Sequence, residues 1–548
     1  MSNSKKLKII PIGGLGEVGK NMTFYEYGDN ILIVDAGLMF PENDMMGIDY
    51  IIPDFEDYLK DKKDRVRGIV ITHGHEDHTG AIQHLLELVH APIYATPLTL
   101  GLVEVKLDRN GMAGKADLRK VNAGDKIQIG PFSVEFFHVC HSIPDAVGLG
   151  IETPAGLIVH TGDYKFDHTP VDNWPTDYAK LADFAQRGVL ALFADSTNAT
   201  EPGWTESERV IDSALDEVFT EAQGRILVAT FASLISRMQQ VANAAERHGR
   251  KIAFTGRSMV DNMKMARELG YVDLPERLEI PIEQALGMPD NQVVLMCTGS
   301  QGEPRSILGR LADGTNRKFD VREGDTIILS SHPIPGNEEV VYRTINKLFR
   351  RGANVIYQDI APVHVSGHAS QEELKLLLHL VRPKYLIPIH GELRMLKQHA
   401  KLAEEVGIPS ENICVVENGQ ILEFADGKLS LGERIPGDYI FVDGSSVGDV
   451  DQNIVRERES LGQDGIMLVN LNINKNNGNL SGIPEVTTRG FMTPDEMEAI
   501  LAGLKPVLEK TVKGSNGNLE KNILQAVKSY LYQEAKRSPY IFVTINKI

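Results

Sequence analysis

Cysteine is scarce in this chain: only Cys140, Cys297 and Cys414 occur in 548 residues, far apart and odd in number. That excludes the disulfide framework of a small secreted domain and makes a reducing, cytoplasmic location the expectation. Long apolar runs are missing too, since none approaches the roughly 18–20 residues needed to cross a bilayer. The N-terminal MSNSKKLKIIPIGG has neither the apolar stretch nor the cleavage site of a signal peptide, so no leader is expected. Internal repeats and low-complexity tracts are lacking. Positive charge is also short, with 57 Lys+Arg against 75 Asp+Glu and a net of −18. Taken alone, that argues against a nucleic-acid partner, which leaves a basic footprint. The deficit is uneven, however. Residues 301–400 hold 14 Lys+Arg against 11 Asp+Glu, and residues 451–548 hold 12 against 11.

What is present is a globular composition, 42% hydrophobic and 24% charged. The length suggests about three domains of ordinary size. The first 200 residues read as short strands, at 7–12, 22–27, 31–35, 68–72, 127–129, 134–139 and 157–160, with a helix at 80–89. Near residue 205 the pattern changes. Thr205-Glu-Ser-Glu208 spells a capping box ahead of apolar residues at helical spacing, and strands then alternate with helices as in a mainly parallel α/β domain. A break is expected near 445–462, followed by a small α+β unit whose first helix Thr493-Pro-Asp-Glu496 caps.

The stretch GGLGEVGKN at 13–21 contains both a dinucleotide fingerprint and most of a phosphate-binding loop. Both motifs need a helix next, to aim backbone N–H groups at phosphate. Here a strand pattern follows, and Asn21 stands where a Ser or Thr would bind magnesium. A tight glycine-rich connection between two strands is the better account.

The decisive segment is THGHEDHTG at 72–80, which places His73, His75, Asp77 and His78 on a strand-to-helix turn. Imidazole and carboxylate in this mix suit zinc or another divalent ion such as manganese, and four candidate ligands can serve two ions. HGHEDH resembles the HxHxDH motif of the metallo-β-lactamase fold, whose other motifs follow in order. Asp35 in VDAG matches an early aspartate that supports the ligands. His141 in HVCHSIPDAVG matches the third-motif histidine, and Asp163 in HTGDYKFD the metal-bridging aspartate. His138, three residues before His141, is a rival ligand, but His141 sits at the strand end and is favoured.

The inserted α/β domain points to the β-CASP group. Asp195 in FADSTN, His368 in HVSGHAS and His390 in IPIHGE match its later motifs. Over the whole chain, GGLGEVGKN, FPENDMMGIDYIIPD, THGHEDH, HSIPD and HVSGHAS are similar to the bacterial ribonuclease J family.

This resemblance implies an α/β architecture. A metallo-β-lactamase αββα sandwich (1–205 and 370–450) would carry an inserted β-CASP α/β domain (206–369). A linker (451–462) and a C-terminal α+β domain for assembly (463–548) would follow. It also implies two divalent ions per chain, zinc with manganese as the alternative. His73, His75 and His141 would hold one ion, Asp77, His78 and His390 the other, and Asp163 would bridge them. Hydroxide from a shared water would attack the phosphodiester of an RNA, leaving a 5′-phosphate and a 3′-hydroxyl by 5′→3′ exonuclease and endonuclease action. His368, Asp195 and Asp77 are the catalytic candidates, with His368 protonating the leaving oxygen. Substrate contacts fall on His364, Val365, Ser366, Gly367, His368 and Ala369. Ser233 could add a hydroxyl or simply cap a helix. Implied partners are RNA with a 5′-monophosphate, further copies of the chain in a dimer or tetramer, and a paralogous subunit. A DNA-cleaving β-CASP nuclease or a small-molecule metallo-hydrolase is the alternative.

Overall fold

A computed structural model describes residues 6–42, 45–515 and 518–548. Asn43 and Asp44 of the FPENDMMGIDYIIPD stretch lie outside the described residues, as do the first five. The chain forms two compact units: residues up to Phe40 with Tyr50–Ile440, and Pro41–Asp49 with Phe441–Ile548.

Two sheets build the first part of the larger unit. One has eight strands in the order Lys428–Arg434, Gln420–Ala425, Leu7–Gly13, Met22–Tyr27, Asn30–Val34, Val66–Val70, Ile93–Ala95 and Leu118–Lys120. The other has six, in the order Tyr385–Ile389, Val189–Asp195, Gly156–His160, Val147–Thr153, Phe132–His138 and Lys126–Ile129. Leu7, Ile9, Leu32 and Val34 of the first sheet meet Val134, Phe136, Leu149 and Phe193 of the second in one buried cluster. On the second sheet's outer face, Phe137, Val159 and Leu192 pack with Leu181 and Phe184 of helix Tyr178–Arg187 and Leu374 and Leu377 of helix Gln371–Val381. Burial on both faces explains why these strands read as continuous apolar runs rather than alternating ones.

The insertion is a five-stranded, wholly parallel sheet, in the order Lys251–Phe254, Val293–Cys297, Ile226–Ala229, Thr326–Leu329 and Asn354–Ile356. Side chains alternate along its central strand: Ile226 and Val228 enter one core cluster, Leu227 and Ala229 the other. Leu98 and Leu102, from helix Pro97–Arg109 of the sandwich, complete the first of these clusters, so the two domains share apolar packing.

The capping box expected at Thr205–Glu208 does not form. The helix starts at Val210, and its N-cap residue Arg209 makes no side-chain cap. Tertiary partners outcompete the local bonds: Thr205 Oγ1 donates to the His368 carbonyl at 2.7 Å, and the Glu208 carboxylate accepts from Arg237 at 2.8 Å.

The second unit pairs strand Ile466–Ile473 with Glu485–Arg489 and Tyr540–Lys547. Met467, Val469 and Leu471 pack against Leu504, Leu508, Ile523 and Val527 of helices Pro494–Gly514 and Leu519–Ala535. Thr493 and Glu496 do make a capping box. The segment 451–462, expected as a linker, is helical: Gln452–Asp464 is capped by the Asp451 carboxylate, which accepts from the N–H groups of Asn453 and Ile454. Among the described residues, no helix is long and apolar enough to cross a membrane.

Candidate metal centre

The strand Val66–Val70 ends in the turn that carries His73 and His75, and the short helix Glu76–Thr79 carries Asp77 and His78. Asp35, just past the neighbouring strand, locks this turn. Its carboxylate accepts from the Thr72 N–H at 2.8 Å and from Thr72 Oγ1, and lies 2.7 Å from His78 Nδ1. That contact assigns the His78 Nδ1 proton to Asp35 and turns Nε2 inward. Asp35 and His390 both adopt positive φ, 62° and 52°. Such backbone costs a non-glycine residue about 1–2 kcal/mol and persists where surrounding bonds over-determine it.

Among the described residues, three groups of potential ligand atoms result: two match the expected sets, and the third joins Asp195 and His368 to Asp163 and His390. His75 Nδ1 lies 3.1 Å from His73 Nε2 and 3.1 Å from His141 Nε2. His141 donates from Nδ1 to the Gly367 carbonyl at 2.7 Å, which fixes its tautomer and leaves the Nε2 lone pair facing the others. In the second group, Asp77 Oδ2 lies 3.1 Å from His390 Nε2 and 3.4 Å from His78 Nε2. Asp163 stands between the groups. Its Oδ2 is 3.6 Å from His73 Nε2, 3.7 Å from His141 Nε2 and 3.2 Å from His78 Nε2. The three-histidine set and the Asp77–His78–Asp163–His390 set each bring their ligand atoms within 4.8 Å of one another.

These residues fit divalent ions. Tetrahedral zinc with imidazole nitrogens at ~2.0–2.1 Å sets nitrogen–nitrogen edges of about 3.3 Å, close to the spacing here. Without a cation the convergent lone pairs repel. Asp163 Oδ1, fully buried, also has no hydrogen-bond partner; His390 Nδ1 lies 3.3 Å away.

Charge states follow the same division. Burial, reinforced by neighbouring imidazoles, pushes His73 and His141 well below the usual histidine range and His75 to about 4. Burial opposes charge on His78 and His390 too, but Asp163, Asp77 and their neighbours outweigh it, raising His78 and taking His390 to about 10. For Asp77 and Asp163, burial is likewise overcome, here by His78 and His390, and both carboxyls are held well below their usual range.

His368 closes the site. Its Nδ1 lies 2.8 Å from Asp195 Oδ2, and its ring is 5.1 Å from that of His141 and 5.4 Å from that of His390. Asp195 Oδ1 accepts from Thr197, whose hydroxyl also reaches His390 Nδ1 at 2.9 Å. His138 lies apart from the ligands, stacked on Trp174 with ring centroids 3.9 Å apart and with Nδ1 3.1 Å from the Pro175 carbonyl.

Of the expected substrate residues, His364 is half-buried, with a buried Nδ1 that has no hydrogen-bond partner. Val365 and Ala369 point into apolar cores and offer only backbone to a ligand. Ser366 Oγ accepts from Asn198 and from the His368 N–H. Ser233 precedes helix Ile235–Arg247 but does not cap it; the N-cap is Leu234, without a side-chain bond.

Sequence reasoning missed Asn21. Its Nδ2 lies 3.2 Å from the Asp77 carbonyl and 3.1 Å from His78 Nε2. Gly14 makes room for this amide, since a Cβ there would meet Asn21 Oδ1 at 2.3 Å. The signal was present in the Asn that breaks the phosphate-loop pattern.

Fold and ligand groups together define a metallo-hydrolase of the metallo-β-lactamase superfamily with a β-CASP insertion. Comparisons with known families agree. The metallo-beta-lactamase superfamily matches residues 15–199, the ribonuclease J beta-CASP domain 223–348, the Zn-dependent metallo-hydrolase RNA specificity domain 352–413, and the ribonuclease J C-terminal domain 453–548. The chain is 40% identical to ribonuclease J2 of Bacillus subtilis over 100% of its own length and 99% of that protein. It is 42% identical to ribonuclease J 1 of Streptococcus pyogenes, covering 97% and 96%. Identity is again 42% to ribonuclease J of Thermus thermophilus, covering 97% and 92%. The chain belongs to the ribonuclease J family. A crystal structure of a protein of unknown function from Enterococcus faecalis shares the fold, with TM-score 0.54 and 16% identity, covering 76% of this chain and 100% of that one.

Proposed function

We propose that this chain, a metal-dependent ribonuclease by family, hydrolyses RNA phosphodiesters with two divalent ions. The products carry a 5′-phosphate and a 3′-hydroxyl, and action runs both from a 5′ end and within a strand. The observation that carries this reading is Asp163 Oδ2, one carboxylate oxygen facing both ligand groups. His73, His75 and His141 would hold one ion and Asp77, His78 and His390 the other, zinc or manganese, with Asp163 between them. When bound, such ions supply a nucleophile at neutral pH and positive charge for the phosphoryl oxygens.

The chain's own groups do the rest. Asp195 anchors His368 Nδ1, leaving Nε2 to meet the scissile phosphate and give a proton to the leaving 3′-oxygen. Burial acts to lower the His368 pKa, but Asp195 outweighs it and the net direction is upward, as an acid requires. Asp35 and Asn21 hold the ligand turn. The 5′-phosphate would meet His364, Ser366, Gly367 and Ser233, with Val365 and Ala369 contributing backbone. Assembly into a cytoplasmic homodimer or homotetramer, with or without a paralogous subunit, would use the C-terminal unit. There the edge strand Tyr540–Lys547 exposes Phe542 beside Leu468.

The test is digestion of one oligonucleotide sequence as 5′-monophosphate RNA, 5′-triphosphate RNA and DNA. The monophosphate RNA should be shortened fastest and the DNA left intact. Equal rates on both RNAs would remove the 5′ pocket, and equal cleavage of DNA would overturn the RNA reading.

A further inference from the structure

The segment 363–368, which carries His368, is held mainly through its carbonyl oxygens, beside the side-chain bonds of Ser366 to Asn198 and of His368 to Asp195. The Val363 carbonyl accepts from Arg237 Nη1 and from Ser330 Oγ, each at 2.7 Å. The Ser366 carbonyl accepts from Lys165 Nζ at 3.1 Å. The Gly367 carbonyl accepts from His141 Nδ1, and the His368 carbonyl accepts from Asn198 and Thr205. All these donors lie on other segments.

Lys165 is the unexpected member of this set. Its side chain is 1% exposed, and burying an ammonium costs several kcal/mol unless it is compensated. Carboxylates lie nearby but beyond hydrogen-bond distance: Asp167 at 3.9 Å and Glu208 at 3.8 Å. Its two hydrogen bonds go instead to backbone carbonyls, Glu206 at 3.0 Å and Ser366 at 3.1 Å. Those residues sit on the two crossings between the sandwich and the inserted domain, one leaving and one returning. Glu208 extends the strut: its other carboxylate oxygen pairs with Arg237, which grips Val363 at the far end of the same segment. Gly367 is packed so closely on His141 that a Cβ would lie 2.6 Å from the imidazole. A shift of Ser366 is therefore passed directly to a metal-ligand histidine as well as to His368.

We propose that Lys165 is a positioning residue of the reaction. Its buried ammonium pins Ser366 to the domain crossing and so sets both the place of His368 and the Gly367 carbonyl that orients His141. Glu208 and Arg237 hold the other end. The part concerning His368 rests on the ribonuclease reading above; the part concerning His141 does not.

The experiment compares the full-length wild type with Lys165→Met and Lys165→Gln. Met keeps the length and loses every donor, whereas Gln keeps an amide donor without charge. Two readouts are taken on folded protein: cobalt affinity of the metal-stripped chain, followed by its visible absorption, and kcat and KM on a 5′-monophosphate oligoribonucleotide. In Lys165→Met, cobalt affinity should fall at least tenfold, as when the partner of a ligand histidine is lost. Its kcat should fall ten- to a hundredfold with KM within threefold, as expected of a displaced catalytic group. Lys165→Gln should recover part of both. A Met variant within twofold of wild type in affinity and kcat overturns the proposal. So does equal loss in both variants with KM rising in step, which is the mark of general damage. If Met does not fold, the Gln variant decides: unchanged affinity and kcat overturn the proposal, while intermediate losses support it. An inert wild type would sink the ribonuclease reading alone, because the cobalt titration still decides whether Lys165 acts on His141.

Discussion

Replacing Asp35 by Asn tests how far the metal centre depends on a residue that is not itself a ligand. The carboxylate holds the His78 Nδ1 proton at 2.7 Å and the Thr72 N–H at 2.8 Å, both buried. A charge-assisted bond of this kind contributes ~1.5–3 kcal/mol, and an amide of the same shape retains part of it. Asn also tolerates the positive φ of 62° at this position, so the backbone is not a confounding factor, as it would be for Ala. With the carboxylate gone, His78 loses its fixed tautomer and some of its basicity. The expected cost is about 10–100-fold in affinity for the ion at the Asp77–His78–His390 group. Chelator-competition titration of metal-stripped protein measures this directly. The affinity of the three-histidine group should change less, since Asp35 reaches that group only indirectly, through Thr72 Oγ1, which lies 3.1 Å from His73 Nδ1. An Asp35→Asn variant that binds both ions within twofold of wild type would refute the reasoning.

Other substitutions probe neighbouring parts of the account. His368→Ala should lower kcat by about 10²–10⁴ while the bound metal stays unchanged by elemental analysis, because His368 belongs to neither assigned ion. Gly14→Ala should lower stability by ~1–3 kcal/mol in urea unfolding, since its φ is 85° and the new Cβ would meet Asn21 Oδ1. His160 and His399, buried outside the ligand groups, are both pushed down by burial to about 4. They stay neutral in the fold while the unfolded chain takes up protons below ~6.5. Stability present above pH 6.5 is therefore lost as pH falls toward 4, by up to about 3 kcal/mol for each. His399→Leu should flatten that slope in urea midpoints measured from pH 7 to 4.5.

The candidate ligand side chains stood out in the sequence because metal chemistry admits few residue types and four of them fall within residues 72–80, where the structure brings them together. Their supports were harder to read. Asn21, Lys165 and Thr197 contact residues 56, 201 and 193 positions away, which no local pattern encodes. Strand Val147–Thr153 escaped notice because its glycines read as turn residues. They are there for packing: a Cβ on Gly148 would meet the Phe137 ring at 2.3 Å, and one on Gly150 the Phe184 ring at 2.4 Å. Helix Pro97–Arg109 was missed for a related reason. It carries Gly101 against Met265 and divides its apolar residues between its own domain and the insertion, so no single stripe stands out. The capping pattern at 205–208 misled because its side chains serve the domain crossing instead of a helix end.

The most direct test of the central claim is stepwise metal titration of the stripped protein while cleavage of a 5′-monophosphate oligoribonucleotide is followed. If the two ligand groups sharing Asp163 form one hydrolytic centre, two ions bind per chain and activity rises with the second. The products then carry 5′-phosphates. Full activity at one ion per chain, or activity that persists in excess chelator, would contradict the account.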